Sequence, residues 1–144
     1  MSRMIFINLP VADLHRSIAF YEALGAVKNK DFCDDTTAAC MVLSDSIHVM
    51  LLTHAKFQTF TPKKIADAKV VSEVLLCLSA DSRTTVDEMV EKAAAAGGIK
   101  DPVPKEEHGF MYGRSFEDLD GHIWESMWLD MDAVRAMRAE GVGA

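Results

Sequence analysis

Positive charge is what this sequence is shortest of. Its 144 residues carry 15 Lys and Arg against 22 Asp and Glu, a net charge of −7. Nucleic acids and anionic membranes both require a cationic surface, so neither is expected as a general partner. A small anionic ligand held by one or two local cations is not excluded. Cysteine is scarce as well. Cys33, Cys40 and Cys77 are odd in number and form no C-x-x-C pair. That pattern fits reduced thiols in a cytosolic protein rather than a disulfide framework. Cys77, inside the apolar run "EVLLCLS", reads as a small hydrophobe, with a catalytic thiol as the weaker alternative. No apolar stretch approaches the ~20 residues that span a bilayer. The N-terminal run "MIFINLPV" is short and broken by Asn8 and Pro10, so it does not read as a secretory signal. A cytoplasmic location is the default expectation.

What is present is apolar residues, 49% of the chain. That is enough for a packed core in one domain of ordinary length and argues against disorder. Their spacing has a repeat in it. Residues 4–11 are rich in strand formers. Asp13 then offers a helix N-cap, Leu14, Ile18, Tyr21 and Leu24 keep helical spacing, and Gly25 stands where a terminating glycine belongs. "KNKDFCDD", "TAACMVLS" and "IHVMLLT" follow as three expected strands. The pattern then restarts. "SEVLLCLS", 72–79, reads as a strand. Thr85 and Glu88 fit a capping box, and Val86 through Ala96 keep helical spacing up to Gly97. "KDPVPKEEHG" is turn-rich, and "FMYGRSFED", "LDG" and "HIWESMWL" form a hairpin. Phe6 and Glu73 begin equivalent strands, and Met50 and Glu125 lie in equivalent final strands. The expected organisation is one domain: a first module about 4–52, a connecting arm 53–71, a second module about 72–129 and a C-terminal helix about 132–140. Phe57 and Phe60 in the arm read as packing residues, or as a cover for a pocket or a partner subunit.

The tandem βαβββ pattern resembles the vicinal oxygen chelate superfamily. The resemblance is carried by "LPVADLHRSIAFYEALG" in the first half, which contains V-x-D-L-x-x-S-x-x-F-Y-x-x-L-G, and by D-x-D-G-x-x-W-E within "FEDLDGHIWE" in the second. This superfamily holds glyoxalase I, extradiol dioxygenases, and fosfomycin- and bleomycin-resistance proteins. The sequence is most similar to the glyoxalase-like, lactoylglutathione-lyase-related members. The resemblance implies an α+β fold in which two modules form an open half-barrel around a central cavity, within one chain or across a homodimer. It also implies metal ligands, typically His, Gln or Glu, on the first and last strand of each module. Those positions fall on Phe6, Met50, Glu73 and Glu125, with His48 an alternative to Met50. Phe6 offers no donor, and Met50 is a poor ligand for hard or borderline ions. The two glutamates hold a divalent ion (Ni, Zn, Mn, Mg or Fe) only with further donors, for which Asn8 and His48 are candidates. The ligand sets of glyoxalase I and of the dioxygenases are both missing, so glyoxalase I activity is not expected, and no organic cofactor is indicated.

Glu125 also stands out on physical grounds. It shares a strand face with Ile123 and Met127, and Glu73 shares one with Leu75 and Cys77. A buried, ionised carboxylate without a partner costs several kcal/mol. A cation, a retained proton or a wet pocket removes that cost. The alternative for each is a strand-end residue facing solvent. His108, Phe110, Tyr112, Arg114 and Phe116 alternate onto one face. If that face lines the pocket, Arg114 supplies a fork for carboxylate or phosphate and Tyr112 a hydroxyl; otherwise Arg114 belongs to a surface ion pair. His48 has a core reading beside the ligand one, while His108 and His122 read as loop and turn residues. Two functions follow. One is a small-molecule lyase or isomerase in which Glu73 and Glu125 hold a metal or move a proton. The other is a metal-free protein that binds or sequesters a small molecule around Phe6, Asn8, Met50, Tyr112 and Arg114. A structural role has no signal beyond the arm.

Overall fold

The computed structural model describes residues 3–141. The chain falls into two compact units. The first runs to Glu73 and takes in Asp118–His122; the second comprises Val74–Glu117 and the chain from Ile123 onward.

In the first unit, strand β1 (Ile5–Val11) leads into helix α1 (Leu14–Ala23), then β2 (Val27–Asn29), β3 (Ala38–Val42), β4 (Ile47–Thr53) and a short helix α2 (His54–Gln58). Asp13 caps α1 by accepting the Arg16 N–H at 3.1 Å. The chain leaves the helix through Gly25 at φ 98°, a conformation that favours glycine. The sheet order is β1-β4-β3-β2, with β1 parallel to β4 and the other pairs antiparallel. Buried Leu14, Ile18 and Tyr21 form the inner stripe of α1, which packs on β3 and β4. Leu9, Met41, Val49 and Leu51 are buried in the sheet. The stretch "KNKDFCDD" is a strand only over Val27–Asn29. Asn29 accepts the Asp31 N–H and caps a 3-10 turn at Lys30–Phe32, and the Asp34 carboxylate collects the N–H groups of Thr36, Thr37 and Ala38. These side chains offer the backbone closer partners than a neighbouring strand does. Those hydrogen bonds, with the Thr37 hydroxyl first, hold the Asp34 carboxyl far below the usual range.

The turn Asp118–His122 belongs to this unit. Tyr21 donates its hydroxyl to Asp118 Oδ2 at 2.5 Å, and Asp118 Oδ1 accepts the N–H groups of Asp120 and His122. Ala12 N–H donates to Asp120 at 2.8 Å, and His122 Nε2 lies 2.9 Å from the Pro10 carbonyl. Gly121 takes φ 90°, and a Cβ there would stand 2.7 Å from the Lys69 backbone nitrogen, so only glycine fits. Burial pushes the Asp118 carboxyl up, against the pull of His122 and the Tyr21 hydroxyl.

The second unit repeats the plan. Strand β5 (Leu76–Ser79) leads to helix α3 (Arg83–Ala95), then β6 (Ile99–Lys100), β7 (Glu106–His108), β8 (Met111–Glu117), β9 (Ile123–Leu129) and helix α4 (Met131–Ala139). The order β5-β9-β8-β6 matches the first sheet, again with a parallel first pair, and β7 pairs with β8 as a third partner beside β6. α3 buries Val86, Val90 and Ala93 and packs on β8 and β9. Its cap is Ser82, which accepts the Thr85 N–H at 3.1 Å, so Thr85 lies inside the helix rather than at its start. The first strand is also shorter than the sequence suggests. β5 pairs with β9 only from Leu76 to Ser79, and Val74 and Leu75 are exposed before it.

Candidate functional site

Strand β9 sorts its side chains by alternation. Trp124 and Ser126 are buried, while Ile123, Glu125 and Met127 are half-buried on the opposite face. Glu125 is flanked there by Cys77 on β5 and by Ser115 on β8. Gly113, next along β8, is paired with Met127. Its missing side chain leaves a gap: a Cβ there would meet Met111 Cε and Met127 Cγ at 4.0 Å. The result is a cavity of about 50 Å³ lined by Cys77, Ser115, Glu125, Met111, Met127 and Val103, among others. Ser115 is 2% exposed, and its Oγ has no hydrogen-bond partner among the described residues. Desolvation and then the charge of Glu125 push the Cys77 thiol up. It therefore stays protonated near neutrality and is a poor nucleophile. The sequence offered Cys77 only as a weaker catalytic alternative and did not point to Ser115. Period-two register against Glu125 was the one signal for them, and it needs the strand pairing to be known.

Other expected site residues lie elsewhere. Glu73 is exposed coil ahead of β5, in the first unit, and has no strand partner. Counting back from the caps Asp13 and Ser82, Glu73 corresponds to Met4 and Phe6 to Leu75. The residue beside Glu125 is thus Cys77, a correction to the expected pair of glutamates. Arg114 and Tyr112 are buried on the face opposite Glu125. The guanidinium is bound by Asp87 at 2.9 Å, Glu91 at 2.7 Å and Asp101 at 2.7 Å, and Tyr112 donates its hydroxyl to Asp87 at 2.7 Å. The fork proposed for a ligand is taken up by three carboxylates of its own unit. Asp101 chiefly, with Glu91 and Asp87, holds Arg114 far above its ordinary range.

Phe6, Asn8, His48 and Met50 do share one face of the first sheet, as the cross-strand pairs Phe6–His48 and Asn8–Met50 require. His48 is buried under Phe6, with ring centroids 4.6 Å apart. Its Nε2 lies 3.3 Å from the Asp45 carbonyl and its Nδ1 4.0 Å from Cys40 Sγ. Both nitrogens are turned into the protein, which corrects the metal-ligand expectation for His48. Among the described residues, no three His, Cys, Asp or Glu side chains gather to hold an ion. On the second sheet Cys77, Glu106 and Glu125 line the cavity, yet they do not come together as the three protein ligands of a typical catalytic zinc site. The residues of this unit do not by themselves fit a metal centre.

The family model described as Glyoxalase/Bleomycin resistance protein/Dioxygenase superfamily matches residues 3–126. The chain belongs to this superfamily. Members often bind divalent metals, which makes the sparse donor set here a departure. Among solved structures, hypothetical protein SA1046 from S. aureus is 30% identical, covering 89% of this chain and 94% of that one at a TM-score of 0.72. The fosfomycin resistance protein FosX from Mesorhizobium loti is 18% identical over 94% and 96% at 0.62. TnmS3, an antibiotic binding protein from Streptomyces sp. CB03234, is 17% identical over 90% and 97% at 0.60. At those identities the last two share the superfamily fold with this chain. No functionally curated protein matches the sequence significantly.

Proposed function

We propose that this superfamily member binds a small amphipathic molecule on the open face of its second sheet, without a metal ion. The observation that carries this reading is the unpartnered Ser115 hydroxyl beside Glu125 in a cavity walled by Met111 and Met127. An unpaired buried hydroxyl is costly, and a ligand polar group removes that cost. Thioethers adapt to ligands of varied shape. The antibiotic-binding relative lends the same fold to a comparable task. Thermal-shift screening with amphipathic compounds tests it. Saturable stabilisation that is lost in Gly113→Val, whose side chain would fill the gap, is expected; a screen with no saturable binder would sink the proposal.

A metal-dependent lyase or isomerase is the second reading. It is favoured by Glu125 on the final strand, where the family resemblance implies a ligand, with the Cys77 sulfur in the paired position. Titration with Ni²⁺, Zn²⁺, Mn²⁺, Mg²⁺ and Fe²⁺ separates the two. Stabilisation abolished by Glu125→Gln would favour the enzyme and overturn the metal-free reading. We also propose a homodimer, supported by the exposed apolar residues Met4, Ile5 and Phe6 of the first unit. Among the described residues no helix is long and apolar enough to cross a membrane.

A further inference from the structure

We infer that the ligand is an amphipathic amine, whose protonated, N–H-bearing head sits between Glu125 and Ser115 while its apolar body lies over Met111 and Met127. This rests on the second sheet being the binding face, and names the chemical class it takes.

The charges decide the class. Two carboxylates, Glu125 and Glu106, line the cavity. Among the described residues the one cation that also lines it is Arg114, and its guanidinium is bound by Asp87, Glu91 and Asp101, three carboxylates against one positive group. Lys105, next to Glu106 in the chain, is exposed and is not among the residues that line the cavity. Among the described residues that line the cavity no cation is free to receive an anionic head, and two anions repel one. A carboxylate, phosphate or phosphonate head is therefore disfavoured.

Hydrogen bonding narrows the class further. Ser115 Oγ is buried and lacks a partner, so the head must offer it a donor or an acceptor. Glu125 in its ionised form only accepts. A head that satisfies both must donate. A protonated primary amine carries three N–H donors, enough for Glu125, Ser115 and one more acceptor. A quaternary ammonium has the charge and no donor, and would leave Ser115 orphaned. Size agrees. At roughly 10–15 Å³ per water-sized group, a cavity of about 50 Å³ admits a head of a few non-hydrogen atoms. The rest of the ligand must lie outside it, across the half-buried apolar residues of the open face.

Four probes with one apolar body test this: 4-phenylbutylamine, 4-phenylbutanol, 4-phenylbutyrate and trimethyl(4-phenylbutyl)ammonium, titrated calorimetrically into the full chain. The amine is expected to bind at least about tenfold tighter than the alcohol and the quaternary ion, with no saturable binding of the carboxylate. Glu125→Gln should remove most of the amine's advantage and leave the alcohol unchanged; Ser115→Ala should weaken both. In the unaltered protein, the amine should slow iodoacetamide labelling of Cys77 and leave labelling of Cys33 unchanged. If the alcohol or the carboxylate matches the amine and Gly113→Val abolishes both, the amine class is overturned and the binding face stands. If none of the four saturates and none protects Cys77, the amine class falls; the wider amphiphile screen then decides the face independently.

Discussion

Ser115 carries a hydroxyl into a place where burial and hydrogen bonding conflict. Leaving such a group unpaired costs about 1–3 kcal/mol, while an apolar group of similar shape avoids that cost. Ser115→Ala is therefore expected to hold or raise the stability of the ligand-free protein by up to about 1 kcal/mol in urea denaturation, although it weakens ligand binding. A clear loss of stability would mean that the hydroxyl has a structural partner after all. Arg114 is the opposite case. It is 6% exposed and bonded on all sides. Removing it leaves three carboxylates, of which Asp87 and Glu91 are half-exposed and able to rehydrate, so the cost falls below that of a fully buried pair. Arg114→Met should lose about 1–3 kcal/mol in the same assay. Of the two residues, sequence inspection picked out Arg114 and missed Ser115. Charge is visible in a sequence, but whether a fork is free or already filled depends on Asp87, Glu91 and Asp101, which lie far along the chain. A serine in a strand gives no local sign that its hydroxyl goes unpaired.

At the scale of elements, helix α3 and strand β8 are joined by one ion cluster, and its pH response has a definite sign. Asp87 is held below the usual carboxylate range by the Tyr112 hydroxyl and then Arg114; Glu91 and Asp101 are held down chiefly by Arg114. In the unfolded chain these groups titrate near pH 4. Their contribution is thus complete above that pH and is lost as pH falls through the depressed folded values. Asp118 runs the other way. Its raised carboxyl favours the folded state at low pH and costs stability as pH rises through the folded value. Acid unfolding of the α3–β8 region, followed by Trp fluorescence, should begin at higher pH in Arg114→Met, because the carboxylates lose the partner that holds their protons off. An unshifted acid limb would mean that the cluster contributes nothing. Helix α1 was legible, since Asp13, the apolar stripe and Gly25 all act locally. The start of α3 was not: Ser82 and Thr85 both satisfy a capping pattern, and the extended backbone at Ser82 decides between them. Ser82→Ala should cost about 1 kcal/mol, and Thr85→Ala measurably less. "SEVL" read as strand because it leads an apolar run, yet a strand also needs a neighbour, and β9 supplies one only from Leu76.

For the whole molecule, the repeat was the readable part. Two strand–helix–strand patterns predict two sheets of like order, and both sheets have it. The offset between the halves was less readable, because the caps Asp13 and Ser82 set the register of the strands before them, so aligning Phe6 with Glu73 put the second site two residues out of step. The same chain leaves apolar residues uncovered where β1 forms the edge of the first sheet: Met4, Ile5 and Phe6 are each close to half exposed. An exposed apolar edge strand invites pairing unless something blunts it, and the alternating charges that protect such edges are missing from "MIFINLPV". A second copy of the chain is the cover that we propose. Light scattering at micromolar concentration should give the mass of two chains, and Phe6→Glu should return it to one by setting a charge in the apolar contact. The dimer should also persist at 1 M salt, where surface ion pairs are screened and apolar contacts are not. A monomer at every concentration, or a dimer indifferent to Phe6→Glu, would remove this edge from the interface.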